Sequence, residues 1–248
     1  MSEPGWWSKP ISEEGLKRLY NVWATDFGGC PRSLQFTVHG FAPLPQHWFA
    51  YRGSLIHNMA ENIFNGKNPN IYPNDFPGVA PSFILDEVAP LRKNMQTWFD
   101  TTSIDLSEAQ AEAKYRYTFN DGFTLTRKID LLTPDFNIDF KSKSGKNMVG
   151  KASIKSSRTG VALGHWCAKE DDDRDRENRI IYLGGEEPVE HPCFGKRATL
   201  EKDLDRIWGE DYPKITEQRT LIERGQLMYC QYSSLCGMCN MRHLCRGI

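Results

Sequence analysis

The sequence lacks any apolar run close to the roughly 20 residues that a membrane-spanning helix requires. It also lacks an excess of charge of one sign, since 31 Lys and Arg residues stand against 32 Asp and Glu residues. Its first seven residues, MSEPGWW, have neither the basic start nor the apolar core of a secretory signal peptide. These absences predict a cytoplasmic protein that could bind nucleic acid only through a local basic surface.

Length and composition place the chain among ordinary globular proteins. The 248 residues are 39% hydrophobic and 25% charged, which suits one core, or one core with a small appended lobe. The seven cysteines are unusual for a chain predicted to be cytoplasmic. In a reducing compartment they favour ligation of a metal or cluster over disulfide bonds.

The stretch from residue 112 to residue 146 organises the sequence. Residues 113–119 and 123–132 are rich in Tyr, Phe, Thr, Ile and Leu, which predicts two β-strands. Asn120-Asp121-Gly122 between them predicts a hairpin turn, because Gly accepts the positive φ of a tight turn. A third short strand is predicted over residues 136–141, after a Thr-Pro-Asp turn.

Two acids and a lysine lie on these strands. Asp130 ends the second strand, and alternation along the third puts Asp139 and Lys141 on one face with Phe140 in the core. The simplest interpretation is a set of surface charges on an antiparallel sheet. The flanking residues are apolar, however, and carboxylates that leave apolar strands need a partner, of which a divalent cation is a common one.

Helical periodicity is found on both sides of this sheet. Helices are predicted over Glu13 to about Ala24 with Ser12 as N-cap, about Tyr51 to Phe64, roughly Ile84 to Phe99, and most of residues 200–227 with a break near Asp211-Tyr212-Pro213. His57 lies at the edge of the apolar face of the second helix, where a lone histidine is usually structural. Residues 65–82, rich in Pro, Asn and Gly, predict a loop.

The chain after Lys141 is strongly charged. A basic tract suits either a solvated loop or a path for phosphates, and it comprises Lys141, Lys143, Lys146, Lys151, Lys155 and Arg158. The block KEDDDRDRENR at residues 169–179 predicts a solvated turn of mixed charge, and residues 180–183 predict another strand.

Three cysteines near the C-terminus have the spacing of metal ligands. Cys236, Cys239 and Cys245 form a C-x₂-C-x₅-C pattern, which suits a tetrahedral metal or an iron–sulfur cluster but leaves a fourth ligand to be found. Cys30 is the candidate and would tie the two chain ends together, with Cys230 as its rival. A zinc site with the same four cysteines is the alternative to a cluster.

In combination these motifs resemble the iron–sulfur-containing RecB-like nucleases of the PD-(D/E)XK superfamily. The group includes the CRISPR-associated family-4 exonucleases, AddB and the exonuclease V group. The shared order begins with Cys30-Pro31-Arg32 and G-x-x-x-H at residues 53–57. It continues with Asp130 and Asp139-Phe140-Lys141 and ends with the terminal cysteines, over almost the whole chain. The chain length favours the CRISPR-associated family or a phage relative.

The resemblance implies a fold and a set of ligands. The fold is α/β (α+β), a restriction-endonuclease-like core at about 84–195 with a small mixed sheet flanked by helices, in a single domain over residues 1–248. A helical lobe at about 12–64 and 198–248 would be held by a [4Fe–4S] cluster on Cys30, Cys236, Cys239 and Cys245. His57, Asp130, Asp139 and the Phe140 carbonyl would bind Mg²⁺ or Mn²⁺. Lys141 would orient or help deprotonate the attacking water, and Glu112 is a further candidate acid.

One motif of that group is missing. Its members usually carry a Gln and, four residues later, a Tyr on the helix after the catalytic Lys, but no Gln occurs between Lys141 and Tyr182. Asn178 and Tyr182 have the spacing, although they lie at the start of a predicted strand. Residues 156–166 occupy the position of the expected helix.

Two classes of function follow from the sequence. The first is a metal-dependent DNA exonuclease that acts on single-stranded ends, in CRISPR spacer acquisition or in phage or host recombination and repair. The second is a non-catalytic DNA-binding adaptor that recruits a CRISPR integrase. The presence of His57, Asp130, Asp139 and Lys141 together favours the exonuclease, because an adaptor has no need of all four.

Overall fold

The computed structural model describes residues 5–27, 29–45, 47–67, 81–143, 153–229, 236 and 239–245. The chain divides into two compact units. The terminal unit comprises Met1–His47, Arg116–Thr126 and Lys202–Ile248, and the central unit comprises Trp48–Tyr115 and Arg127–Glu201. None of the helices in the described ranges is long and apolar enough to cross a membrane.

The secondary structure follows the order expected of a mixed α/β protein. The strands are β1 (Asn21–Trp23), β2 (Gln110–Thr118), β3 (Thr124–Leu132), β4 (Phe136–Lys141), β5 (Glu177–Tyr182) and β6 (Val189–Pro192). The helices are α1 (Glu13–Tyr20), α2 (Pro31–Val38), α3 (Trp48–Phe64), α4 (Pro81–Thr101), α5 (Ser153–Asp172), α6 (Arg197–Arg206), α7 (Tyr212–Glu223) and α8 (Arg242–Cys245). A π-helical turn over Ile207–Asp211 joins α6 to α7.

The strands form a six-stranded mixed sheet in the order β1-β3-β4-β5-β6, with β2 paired to β3. In the central unit, β3 runs antiparallel to β4, with Leu131 opposite Ile138. Strand β4 runs parallel to β5, so α5 is the crossover helix that a parallel pair needs. Strand β5 then runs antiparallel to β6. In the terminal unit, β1 pairs in parallel with Thr124–Thr126 of β3.

The central unit has helices on both faces of its strands. Helices α3 and α4 pack on one face through a buried cluster that includes Leu131, Ile138 and Phe140. Helix α5 packs on the other face, where Val161 shares a buried cluster with Ile180 and Tyr182, and Ala168 shares another with Ile129. Adjacent residues of β4 and β5 therefore face opposite layers, as the period of two along a strand requires.

Several predicted elements are confirmed. Strand β4 has the predicted bounds, with Phe140 only 1% exposed. Gly122 has a φ of 86° in the predicted hairpin turn. Helices α3 and α4 contain the predicted segments, and the predicted break near Asp211 coincides with the π-helical turn. Most of the predicted loop at residues 65–82 and Lys146 and Lys151 of the basic tract lie outside the described residues.

The prediction for the first helix is wrong at its C-terminal end. Helix α1 stops at Tyr20, four residues before the predicted end, and Asn21–Trp23 instead form a strand. The reason is tertiary, since Val22 pairs with Leu125 of β3 and is fully buried. Strand pairing therefore overrides the helical periodicity of Trp23 with Leu16, Leu19 and Tyr20.

The prediction of a solvated turn over residues 169–179 is correct for the exposed residues 170–175 and wrong at both ends. Helix α5 continues to Asp172 and β5 begins at Glu177. Arg176 is 5% exposed, and its guanidinium donates to the Asp172 carboxylate and to the Thr133 carbonyl. Charged residues of this block therefore form hydrogen bonds at the C-terminal end of α5 and just before β5 begins.

Candidate metal centre

Three side chains of the central unit converge at one point. His57 on α3, Glu112 on β2 and Asp130 on β3 each offer one ligand atom, and these atoms lie within 4.8 Å of one another. His57 Nδ1 lies 2.9 Å from Asp130 Oδ1 and 4.0 Å from Glu112 Oε1. A nitrogen and two carboxylate oxygens at this separation can hold a divalent cation.

The fold fixes each of these three groups. Ile56, Met59 and Ala60 hold α3 in the core, which leaves the neighbouring His57 at the border with 38% of its side chain exposed. Asp130 is 4% exposed, and its Oδ2 accepts a hydrogen bond of 2.8 Å from the Phe140 backbone N–H. Glu112 contacts the Lys128 ammonium through Oε2.

Glu112 has an unusual backbone conformation. Its φ is 53°, although it lies inside β2, two residues after the first residue of the strand. Positive φ is uncommon for residues other than Gly and disfavoured for a glutamate, because Cβ crowds the backbone. The family resemblance implies Glu112 as a further candidate acid, and the structure places it beside His57 and Asp130. Its positive φ has no signal in the sequence.

Asp139 and Lys141 form a second pair on β4, on the face that packs against α5. The Lys141 ammonium contacts Asp139 Oδ2, and Arg127 Nη2 lies 3.7 Å from Asp139 Oδ1. The predicted proximity of Asp139 and Lys141 is therefore present in the structure. Arg127 was not predicted, since an arginine on a strand has no sequence signal that separates it from a surface charge.

The charges of the site shift the pKa of its groups. Burial alone lowers the pKa of His57, but the hydrogen bond to Asp130 and the charge of that carboxylate raise it above the ordinary value. Burial alone raises the pKa of Asp130, but His57, Lys141 and Arg127 outweigh it and lower the pKa. Asp130 is therefore ionised at neutral pH, which is the form that binds a cation.

Lys141 remains protonated in this environment. Burial alone lowers the pKa of its ammonium, but the Asp139 and Asp130 carboxylates outweigh burial and raise the pKa. A lysine in this state can donate hydrogen bonds and neutralise negative charge. It cannot accept a proton near neutral pH.

The residues present fit a divalent cation. Asp130 is buried, ionised and hydrogen-bonded through one oxygen, while its other oxygen faces His57. Glu112 and Asp139 are also largely buried, with 14% and 10% of their side chains exposed. Glu112 and Asp130 bring ligand oxygens within 4.8 Å of each other, whereas Asp139 lies outside this group. A bound cation would relieve the repulsion between the two carboxylates.

The predicted cluster ligands lie in the terminal unit. Cys30 is the N-cap residue of α2, and Cys245 ends α8. Cys239 Sγ lies 3.8 Å from Ser33 Oγ on α2, so the C-terminal cysteine segment packs beside the helix that Cys30 begins. Among the residues that the structure describes, the only group of three or more potential metal ligands within 4.8 Å of each other contains no cysteine.

Cys167 and Cys193 lie in the central unit, away from the predicted cluster ligands in sequence. Cys167 lies on α5, where burial raises the pKa of its thiol to about 12. Cys193 is buried after β6. A protonated, buried thiol is unreactive and a poor metal ligand. Cys230 lies outside the described residues.

Asn178 and Tyr182, which have the spacing of the missing Gln and Tyr, lie on strand β5 and not on a helix. Asn178 Nδ2 lies 3.1 Å from His165 Nδ1, and Asn178 Oδ1 accepts a hydrogen bond of 3.0 Å from Asn137. Asn178 therefore belongs to a buried polar network between α5, β4 and β5.

Comparison with solved structures finds a protein of the same fold, whereas comparison with families and curated proteins finds no match. No family model and no curated protein matches the chain. A solved structure named "Putative exonuclease" from Eubacterium rectale aligns with a TM-score of 0.59 at 13% identity, over 96% of this chain and 93% of that chain. A second solved structure, of SSO0001, aligns with a TM-score of 0.46 at 12% identity, over 94% of each chain. The first likeness shows a shared fold.

Proposed function

We propose that the chain is a divalent-metal-dependent nuclease that hydrolyses phosphodiester bonds of DNA from single-stranded ends. Two groups of side chains support the proposal best. They are the His57–Glu112–Asp130 group on α3, β2 and β3, and the Asp139–Lys141 pair on the adjoining strand β4. The solved structure that shares the fold is named as an exonuclease, which agrees with this proposal.

Each residue has a chemical role in this proposal. His57, Glu112, Asp130, Asp139 and the Phe140 carbonyl would hold Mg²⁺ or Mn²⁺. A divalent cation bound there supplies charge neutralisation at the phosphate and a lower pKa for a coordinated water. Lys141, kept protonated by its carboxylate neighbours, would orient the attacking water. The structure thus favours the orienting role of Lys141 over the deprotonating one.

The proposal includes an iron–sulfur cluster in the terminal unit. Cys30, Cys236, Cys239 and Cys245 would be its ligands. The contact between Cys239 and Ser33 supports the approach of the chain ends that this set requires. The proposed pathway rests on the sequence resemblance. It is CRISPR spacer acquisition, or phage and host recombination and repair, with integrase proteins as partners. The proposed cytoplasmic location rests on the composition of the sequence.

The test is a cleavage assay on end-labelled linear single-stranded DNA with Mg²⁺ or Mn²⁺. Asp130→Asn should reduce the rate by roughly a hundredfold or more, because a metal ligand carries several kcal/mol of transition-state stabilisation. Glu108→Gln, at an exposed acid before β2, is the matched control and should cleave as the wild type does. A chelator should stop cleavage, and circular single strands should resist it.

Two outcomes would contradict the proposal. If the wild type binds single strands and leaves them intact with both cations, the chain is a DNA-binding adaptor. If Asp130→Asn cleaves as fast as Glu108→Gln, the activity belongs to another site. Lys141→Ala should keep DNA affinity and lose rate, and an equal loss of both would reduce Lys141 to a phosphate-binding residue.

A further inference from the structure

Arg127 is a half-buried cation without a full set of partners. It lies on β3, three residues before Asp130, and 17% of its side chain is exposed. Its Nε is buried and finds no hydrogen-bond partner among the described residues. Its Nη2 lies 3.7 Å from Asp139 Oδ1, which is longer than a hydrogen bond. A guanidinium has five donors. The buried Nε is out of reach of a ligand, so the Nη groups would have to bind an anion.

Helix α5 leaves room for this guanidinium through two glycines. Gly160 and Gly164 are four residues apart and therefore lie on one face of α5. A Cβ at Gly160 would lie 3.7 Å from Arg127 Nη2, and one at Gly164 would lie 3.5 Å from Arg127 Nε. The guanidinium thus lies over a strip of α5 that carries no side chain. A larger residue at either position would compete for this space.

The acids of the site are already engaged by other groups. Asp139 Oδ2 contacts Lys141, and Asp130 is held by His57 and the Phe140 N–H. A bound divalent cation would neutralise these carboxylates further and leave Arg127 with little attraction to Asp139. A phosphate group matches the planar fork of an arginine better than a point charge does.

We infer that Arg127 binds a phosphate of the DNA strand at the candidate metal centre, on the side that faces α5. The inference rests on the proposed function. In this role Arg127 supplies, from β3, a substrate contact on the face of α5, the helix that lacks the Gln and Tyr of the resembled nucleases. An arginine that instead supports Asp139 is a positioning residue, and the two roles predict different measurements.

The test measures the affinity of Arg127→Gln for a labelled single strand as a function of salt, with Ca²⁺ in place of Mg²⁺ and the strand checked for cleavage. Loss of one phosphate contact should make the slope of log K against log [salt] less negative by about 0.7. Arg127→Lys keeps the charge and should keep the wild-type slope with weaker binding. Arg179→Gln, which removes an arginine paired to Glu177 and Glu190, is the matched control and should behave as the wild type does.

Mn²⁺ affinity without DNA separates the two roles. For a phosphate contact, Arg127→Gln should bind Mn²⁺ as tightly as the wild type. An unchanged salt slope overturns the inference, and a tenfold loss of Mn²⁺ affinity with that unchanged slope assigns Arg127 to Asp139. If the wild type and the control cleave DNA, and Arg127→Gln has the same salt slope and cleavage rate, this inference fails and the proposed function stands. If the wild type binds no DNA, the proposed function fails with it.

Discussion

At the scale of single residues, the candidate metal centre contains a strained backbone. Glu112 keeps a φ of 53° inside β2. A left-handed conformation costs an L-residue roughly 1–2 kcal/mol. Such strain persists only where the surrounding structure imposes it, and it is concentrated at functional sites. Here the strained residue is the one whose carboxylate lies 4.0 Å from His57.

A pair of substitutions separates the strain from the carboxylate. Glu112→Ala and Glu112→Gly both remove the acid, so both should weaken Mn²⁺ binding. Glu112→Gly should nevertheless be more stable than Glu112→Ala by about 0.5–1 kcal/mol, since Gly accepts positive φ and only part of this gain is lost to its greater chain entropy. Urea unfolding of both variants measures the difference. An Ala variant more stable than the Gly variant would show that residue 112 carries no strain.

Residues also show where sequence reasoning stops. Asp130, Asp139 and Lys141 could be predicted, because they interrupt or follow apolar strands at a spacing that the period of two converts into shared faces. Glu112 is implied only by the family resemblance, and its positive φ has no signal in the sequence. Arg127 lies beside glycines of a helix that is distant in the chain, so its place at the site could not be derived from the sequence.

At the scale of elements, one face of helix α5 carries two glycines, Gly160 and Gly164, in place of side chains. A Cβ at Gly160 meets only ordinary contacts, whereas a Cβ at Gly164 lies 3.2 Å from Ile129 Cγ1 on β3. Gly164 is buried against the strand. The two glycines are therefore equivalent in helix propensity and different in packing.

This difference predicts opposite effects of the same substitution. Gly160→Ala should stabilise the fold by about 0.5–1 kcal/mol, because Ala favours the helix and loses less entropy on folding. Gly164→Ala should gain less or destabilise, since the new methyl group displaces Ile129. Thermal unfolding of the two variants measures both effects. Equal stabilisation by both would show that α5 and β3 have room to separate.

The strands that sequence analysis missed have a common cause. Strand β1 exists because Asn21–Trp23 pairs with β3, and β6 is a four-residue edge strand that ends in a proline. Short strands carry too little periodicity to be recognised, and their partners lie far away in the chain. The long helices α3 and α4 were predictable because their apolar periodicity extends over several turns.

At the scale of the whole chain, distant segments build the terminal unit. The fully buried Arg219 of α7 donates at 2.6 Å to Asp26. Gln35 on α2 accepts a 3.0 Å hydrogen bond from the Met228 N–H. The backbone N–H of Leu44 donates at 2.7 Å to the Asn240 carbonyl. These contacts join the first part of the chain to the last part before any cofactor is considered.

The four proposed cluster ligands lie in this unit. Ser33, three residues after Cys30, and Cys239 are 206 residues apart in the chain and 3.8 Å apart in space, as measured between their side-chain oxygen and sulfur atoms. A cross-link that closes so long a loop should stabilise the fold by about 5 kcal/mol, by analogy with a disulfide bond. Loss of one ligand should therefore affect folding as well as colour.

Cys30→Ser should yield colourless protein of low solubility that has lost its iron, and Cys245→Ser should do the same. Cys167→Ala removes a buried thiol of the central unit and is the matched control, which should keep the iron content of the wild type. The measurements are iron, zinc and sulfide per chain and the midpoint of urea unfolding. Zinc without iron in the wild type would replace the cluster by a four-cysteine metal site. A Cys30→Ser protein that keeps its iron, together with a Cys230→Ser protein that loses it, would move the fourth ligand to Cys230 and remove the link between the chain ends.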